Sequence, residues 1–182
     1  MGIIISNLEL SQFRNAKFIA DINKRVFFRT HDKIAAMELI TYPNPILFKK
    51  SEPVELNKET KNFVEEMMAF MKNELTWGEP AGLAAPQVGK NVRIFIALNE
   101  VYINPELTPI EEAGTTEHEE GCYSLEKDRF DYKVTRHNEI MLKWQNKKGK
   151  WRHERIKGFR AQVIQHEYDH IEGRLCSGTA DQ

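Results

Sequence analysis

The chain has 182 residues, 41% of them hydrophobic and 29% charged, enough apolar material for one buried core but not two. With 26 Lys+Arg against 27 Asp+Glu, its formal net charge of -1 offers no overall basic field for nucleic acid and no acidic tail. Apolar runs such as Ile94-Phe95-Ile96-Ala97-Leu98 are too short to span a bilayer, and Cys122 and Cys176 are too few for a disulfide framework. The expectation is a soluble intracellular protein with neither a membrane nor a nucleic acid as partner.

Residues 1–36 scatter Arg14, Lys17, Lys24, Arg25, Arg29 and Lys33 among Asn, Ser and aromatic residues without lasting periodicity. They read as an N-terminal arm or short appended helix of unassigned role; Glu9, Asp21 and Asp32 argue against an organellar transit peptide. Signals sharpen over 37–182. Thr41-Tyr42-Pro43-Asn44-Pro45 is a turn, because the two prolines fix φ and bias the residues before them away from helix. Over 58–75, Phe63, Val64, Met67, Met68, Met71 and Leu75 recur at three- and four-residue spacings behind Asn57, a plausible N-cap, and predict an amphipathic helix. Residues 78–89 are rich in Gly, Pro and Ala. Gly82 with small Ala84 and Ala85 either lets the main chain approach an extended peptide or forms a tight turn between elements.

Residues 92–98 and 101–103 read as short strands, and 140–145 and 151–156 as a hairpin around Asn146-Lys147-Lys148-Gly149. Residues 159–171 are helical, with Gly173 where a left-handed cap falls. The expected fold class is α+β: short antiparallel strands packed around a C-terminal metal-binding helix, with an N-terminal amphipathic helix.

That last helix carries His166-Glu167-Tyr168-Asp169-His170. Histidines four apart share a helical face and can converge on one ion, with the intervening carboxylate beside it. A solvated helix face would explain the same five residues, but Phe159 and Val163 continue the histidine face as apolar surface. A catalytic site of this kind needs three protein ligands and an open position. No histidine follows the helix, so the third ligand comes from upstream: Cys122, His118, His137, or one of Glu117, Glu119 and Glu120. Cys122 could also be a plain apolar residue, or a partner for Cys176.

Three segments, in order, resemble the peptide deformylase family: Gly82-Leu83-Ala84-Ala85-Pro86-Gln87, Glu120-Gly121-Cys122-Tyr123-Ser124 and Gln165-His166-Glu167-Tyr168-Asp169-His170. Tyr42-Pro43-Asn44-Pro45-Ile46-Leu47 is similar to the family's opening turn, and Val134 to Arg136 to one of its strand starts. The resemblance covers the chain from about Met37 to Leu175. It implies a hydrolase that removes the N-formyl group from the formylmethionine of newly made polypeptides. It implies that Cys122, His166 and His170 bind the metal, that Glu167 is general base and acid, and that Gln87 and the Tyr123 backbone N–H stabilise the oxyanion. Ala81, Phe159 and Val163 fall at family positions around the methionine side chain, and Gly82 and Leu83 complete the substrate-binding set. The resemblance suggests Fe²⁺ in the cell, while the Cys/His₂ donor set also admits Zn²⁺, Ni²⁺ or Co²⁺.

The chain departs from the family pattern at Pro80, where Gly is usual, and at Tyr123, where Leu is usual. The C-terminal helix by which many bacterial members contact the ribosome is not expected after Leu175. The implied location is the cytoplasm of a bacterial or phage-infected cell, an organelle being the alternative. Two rivals stand beside this reading: a zinc peptidase built on the same helix, and a non-catalytic module whose ion is closed by a fourth protein ligand.

Overall fold

The computed structural model describes residues 37–75, 81–125 and 132–176. The expected arm over 1–36 and the departure at Pro80 lie outside these residues. The opening turn includes a cis Tyr42-Pro43 bond and leads into a 3-10 turn, Pro45–Phe48, capped by the Asn44 side chain.

Helix α1, Lys58–Asn73, starts where Asn57 Oδ1 accepts the Thr60 N–H at 2.9 Å, a side-chain cap on an otherwise unsatisfied donor. Its 3.6-residue period buries Phe63, Val64, Met67 and Met71 against Leu83, Ile94, Ile96, Val101 and Ile103. Those partners belong to β1 (Gly82–Ala84), β2 (Ile94–Ala97) and β3 (Glu100–Pro109). Strands β4 (Thr115–Glu120) and β5 (Tyr132–His137) form a separate two-stranded antiparallel sheet. β6 (Glu139–Gln145) and β7 (Trp151–Lys157) make the expected hairpin and complete a five-stranded antiparallel sheet of order β1-β2-β3-β6-β7.

Helix α2, Gly158–Ile171, packs on the face opposite α1. Because strand side chains alternate, β2 sends Ile94 and Ile96 to α1, and Phe95 and Ala97 to α2. Ala161, Val163, Ile164 and Ile171 of α2 share that second core with Ile140, Leu142, Trp144 and Ile156. α2 ends as expected: Gly173 has φ +75° and its N–H bonds to the His170 carbonyl at 3.2 Å. The expected α+β class is what the chain forms, and no helix of the described residues is long and apolar enough to cross a membrane.

One expectation needs correction, and one strand was not foreseen. The strand expected over 101–103 runs on to Pro109, because the ladder tolerates Pro105 through a register shift between Ile103 and Glu106, with Asn104 at φ +49°. The acidic stretch around Glu117 and Glu119 forms β4, paired with β5 in full register from Thr115↔His137 to Glu120↔Tyr132.

Candidate metal centre and active site

The pitch of α2 sets His166 and His170 one turn apart on a shared face, their ring centroids 5.0 Å apart. Cys122 arrives on the segment after β4, its Sγ 3.4 Å from His170 Nε2. The sulfur and one nitrogen from each ring lie within 4.8 Å of one another. His118, His137, Glu117, Glu119 and Glu120 do not join this group, nor does Cys176, so the list of upstream candidates reduces to Cys122. Three donors converge, and among the described residues no fourth His, Cys, Asp or Glu joins them, the protein-ligand count of catalytic rather than structural sites.

Glu120 does different work. Its Oε2 accepts from His166 Nδ1 at 2.9 Å and from Arg136 Nη2 at 2.8 Å, and its Oε1 accepts from Arg136 Nε at 3.0 Å. A carboxylate on Nδ1 fixes the ring and tautomer and leaves Nε2 for an ion. Arg136, on β5, also pairs with Asp169 of α2, so the small sheet is tied to the helix that carries the histidines. Burial alone would raise the Glu120 pKa, but His166 and Arg136 hold it at about 2. At His166, burial opposes the imidazolium, yet the bond to Glu120 and the Glu167 and Glu120 charges outweigh it and raise the pKa. Burial and the charge on His166 push His170 well below its ordinary value, so its ring is a neutral donor. The neighbouring Cys176 thiol, with burial, pushes the Cys122 thiol up.

Glu167 is 4% exposed, its Oε2 has no hydrogen-bond partner among the described residues, and burial pushes its pKa up to about 7. A carboxyl held near neutrality is matched to both taking and giving a proton at physiological pH. It lies so close to β1 that a Cβ on Gly82 would sit 2.6 Å from its Cδ and 2.7 Å from its Cγ. Gly82 is therefore required for the room it leaves Glu167, a constraint the sequence alone ascribed to peptide approach or to a tight turn.

Gln87 stands on the 3-10 turn Ala85–Val88. Its Oε1 accepts the Ala84 N–H at 2.8 Å, which fixes the amide so that Nε2 points inward, 3.2 Å from Ser124 Oγ and 3.7 Å from Cys122 Sγ. A cavity of about 200 Å³ is lined by Gln87, Cys122, Tyr123, His166 and Glu167, with Ala81, Gly82, Phe159 and Val163 around them. Leu83 is not in that lining. Its side chain is fully buried against α1, so any contact with a ligand would come from its backbone. Gln162 and Glu119 also line the cavity; sequence reasoning did not name Gln162 and weighed Glu119 only as a metal ligand. Gln162 stands one helical turn before His166, a spacing that could have found it.

Residues 36–182 match the family model described as polypeptide deformylase. A peptide deformylase of Dictyoglomus turgidum is 37% identical over 144 residues, covering 76% of this chain and 89% of that protein. The crystal structure of the Thermotoga maritima peptide deformylase has a TM-score of 0.68 at 34% identity, over 76% of this chain and 93% of that one. A probable peptide deformylase from Synechococcus phage S-SSM7 aligns with a TM-score of 0.68 at 32% identity, over 78% and 97%. The match spans the site-bearing strands and both helices, and the chain belongs to the peptide deformylase family.

Proposed function

We propose that Cys122, His166 and His170 hold one divalent ion in this chain and that Glu167, Gln87 and Tyr123 carry out the family's reaction beside it. The chain is a metal-dependent hydrolase that removes the N-formyl group from newly made polypeptides. The convergence of one sulfur and two imidazoles beside a buried carboxylate with an unpartnered oxygen is the observation that carries this reading. The donor set admits Fe²⁺, Zn²⁺, Ni²⁺ or Co²⁺ alike, and the resemblance to the family favours Fe²⁺ in the cell. Such an ion supplies Lewis acidity, acidifying a water and polarising a carbonyl.

The chain's own residues do the rest. Glu167 takes a proton from the attacking water at Oε2 and later delivers it to the departing amine, which cannot leave a formamide as an anion. Negative charge grows on the formyl oxygen during attack. Gln87 Nε2, on an amide whose oxygen accepts the Ala84 N–H, and the Tyr123 backbone N–H donate to it in this reading, each worth about 3 kcal/mol in such oxyanion sites. Ala81, Phe159 and Val163 give the cavity an apolar wall for an unbranched side chain such as methionine. β1 pairs on one side with β2, and its other edge can receive the extended peptide at Gly82 and Leu83. The setting is the cytoplasm of a bacterial or phage-infected cell, where formylated chains are made. Anaerobic formate release from a formyl-Met tripeptide tests the reading. It expects release only from formylated peptides and none by the Glu167→Gln protein; cleavage of unblocked internal bonds would contradict it.

A further inference from the structure

We propose that Cys122 and Cys176 form a reversible disulfide under peroxide, a modification that takes the sulfur away from the metal site. They are the chain's two cysteines, and both are free thiols in this structure. They come from distant segments, one just after β4 and one beyond the end of α2 at Ile171, and meet in a small core with Leu47, Leu125 and Leu175. There the two thiols hydrogen-bond each other. Cys176 nevertheless stands outside the donor group of Cys122, His166 and His170. A second thiol that touches the ligand sulfur without joining the ligands is placed to take that sulfur by oxidation, the arrangement of a redox-sensing cysteine beside its resolving partner.

Exposure sets the order of events. Cys122 is 2% exposed while Cys176 is half-exposed, so an oxidant arriving from solvent meets Cys176 first. The Cys176 sulfur attacks one peroxide oxygen, the O–O bond breaks, and the departing hydroxide takes the thiol proton and leaves as water; Cys176 is then a sulfenic acid. The Cys122 sulfur attacks the Cys176 sulfur, the S–O bond breaks, and a second water leaves with a proton from Cys122, or from solvent where Cys122 is already a thiolate. The two sulfurs together give up two electrons, which reduce the peroxide to two waters. Cys176 stands outside helix and strand, so bringing the sulfurs from hydrogen-bond contact to about 2.05 Å breaks no ladder. His166 and His170 alone would then face the ion. The loss of the ion rests on the proposed function, in which Cys122 is a metal ligand; the disulfide itself does not. In a reducing compartment such a bond is transient and signals oxidation instead of stapling the fold.

The test treats the zinc-loaded protein with one equivalent of hydrogen peroxide, since Zn²⁺ has no redox chemistry of its own and its release reports thiol oxidation alone. Peptide mapping without reductant should find Cys122 joined to Cys176 within one chain. Zinc should pass to a chromogenic chelator in step with that bond, and formate release from a formyl-Met tripeptide should fall in parallel. A dithiol with added zinc should reverse all three. Cys176→Ser and Cys176→Ala should begin with wild-type zinc content and kcat/KM, and should lose zinc at least about tenfold more slowly. Zinc loss from both variants at the wild-type rate overturns the proposal. So does a map showing Cys122 carried to sulfinic or sulfonic acid, disulfides between two molecules, or both thiols untouched. A protein that holds no zinc before peroxide is added faults the proposed function instead, and the map still decides the disulfide.

Discussion

Replacing Glu167 with Gln should abolish turnover and, at the same time, stabilise the protein stripped of metal. The carboxyl stands at about 7, above its ordinary 4.5, because burial disfavours its charge. Each tenfold change in proton affinity is about 1.4 kcal/mol, so the displacement corresponds to about 3 kcal/mol. The sign follows from which state holds the proton. Between the unfolded and folded pKa values the folded protein binds a proton that the unfolded chain has released, so stability falls as pH rises through that window. Gln is neutral throughout, nearly isosteric, and breaks no hydrogen bond at Oε2. Urea unfolding in the presence of a chelator should find Glu167→Gln more stable than wild type by about 3 kcal/mol near pH 8, and by less than about 1 kcal/mol near pH 5. In the loaded enzyme the same change should lower kcat by about 10²–10⁴-fold with metal content unchanged. A Gln variant no more stable than wild type at either pH would refute the claim that this carboxyl is held near neutrality by burial.

Three further outcomes follow from the geometry. Gly82→Ala puts a methyl group into the Glu167 carboxyl and should cost about 10²-fold in kcat through misplacement, with metal content by elemental analysis unchanged. Gln87→Glu keeps an oxygen for the Ala84 N–H but removes the inward donor. Steady-state kinetics should show kcat lower by about 10²–10³-fold and KM little altered. Glu120→Gln weakens the acceptor that orients His166 and leaves the buried Arg136 half-paired; chelator competition should find metal affinity reduced about 10–100-fold.

The helix bearing His166, Glu167 and His170 was legible in the sequence because its spacing is at once a helical period and a ligand spacing; Val163 lies on the buried side as expected, whereas Phe159, expected to continue that apolar face, is exposed at the rim of the cavity. α1 was legible for the same reason, down to its Asn57 cap. The third metal ligand was not readable from spacing. Cys122 is more than forty residues from His166, and only the fold chooses it over His118, His137 and the nearby glutamates; the family resemblance, not periodicity, named it. β4 escaped notice because its polar residues give no alternation of apolar with polar, so nothing local reveals that Thr115 to Glu120 pairs with β5. The role of Arg136 was equally hidden, since a buried arginine makes sense only once Glu120 and Asp169 are seen to meet it from two other elements. Gly82 was recognised as necessary but for an incomplete reason, because the atoms that exclude a side chain there belong to a residue 85 positions later.

X-ray absorption spectroscopy of the zinc-loaded protein tests the centre of the account most directly. One sulfur at about 2.3 Å with two imidazole nitrogens and one further light atom at about 2.0–2.1 Å is the expected shell. A second sulfur, meaning that Cys176 closes the site beside Cys122, or a shell with no sulfur at all, would contradict it.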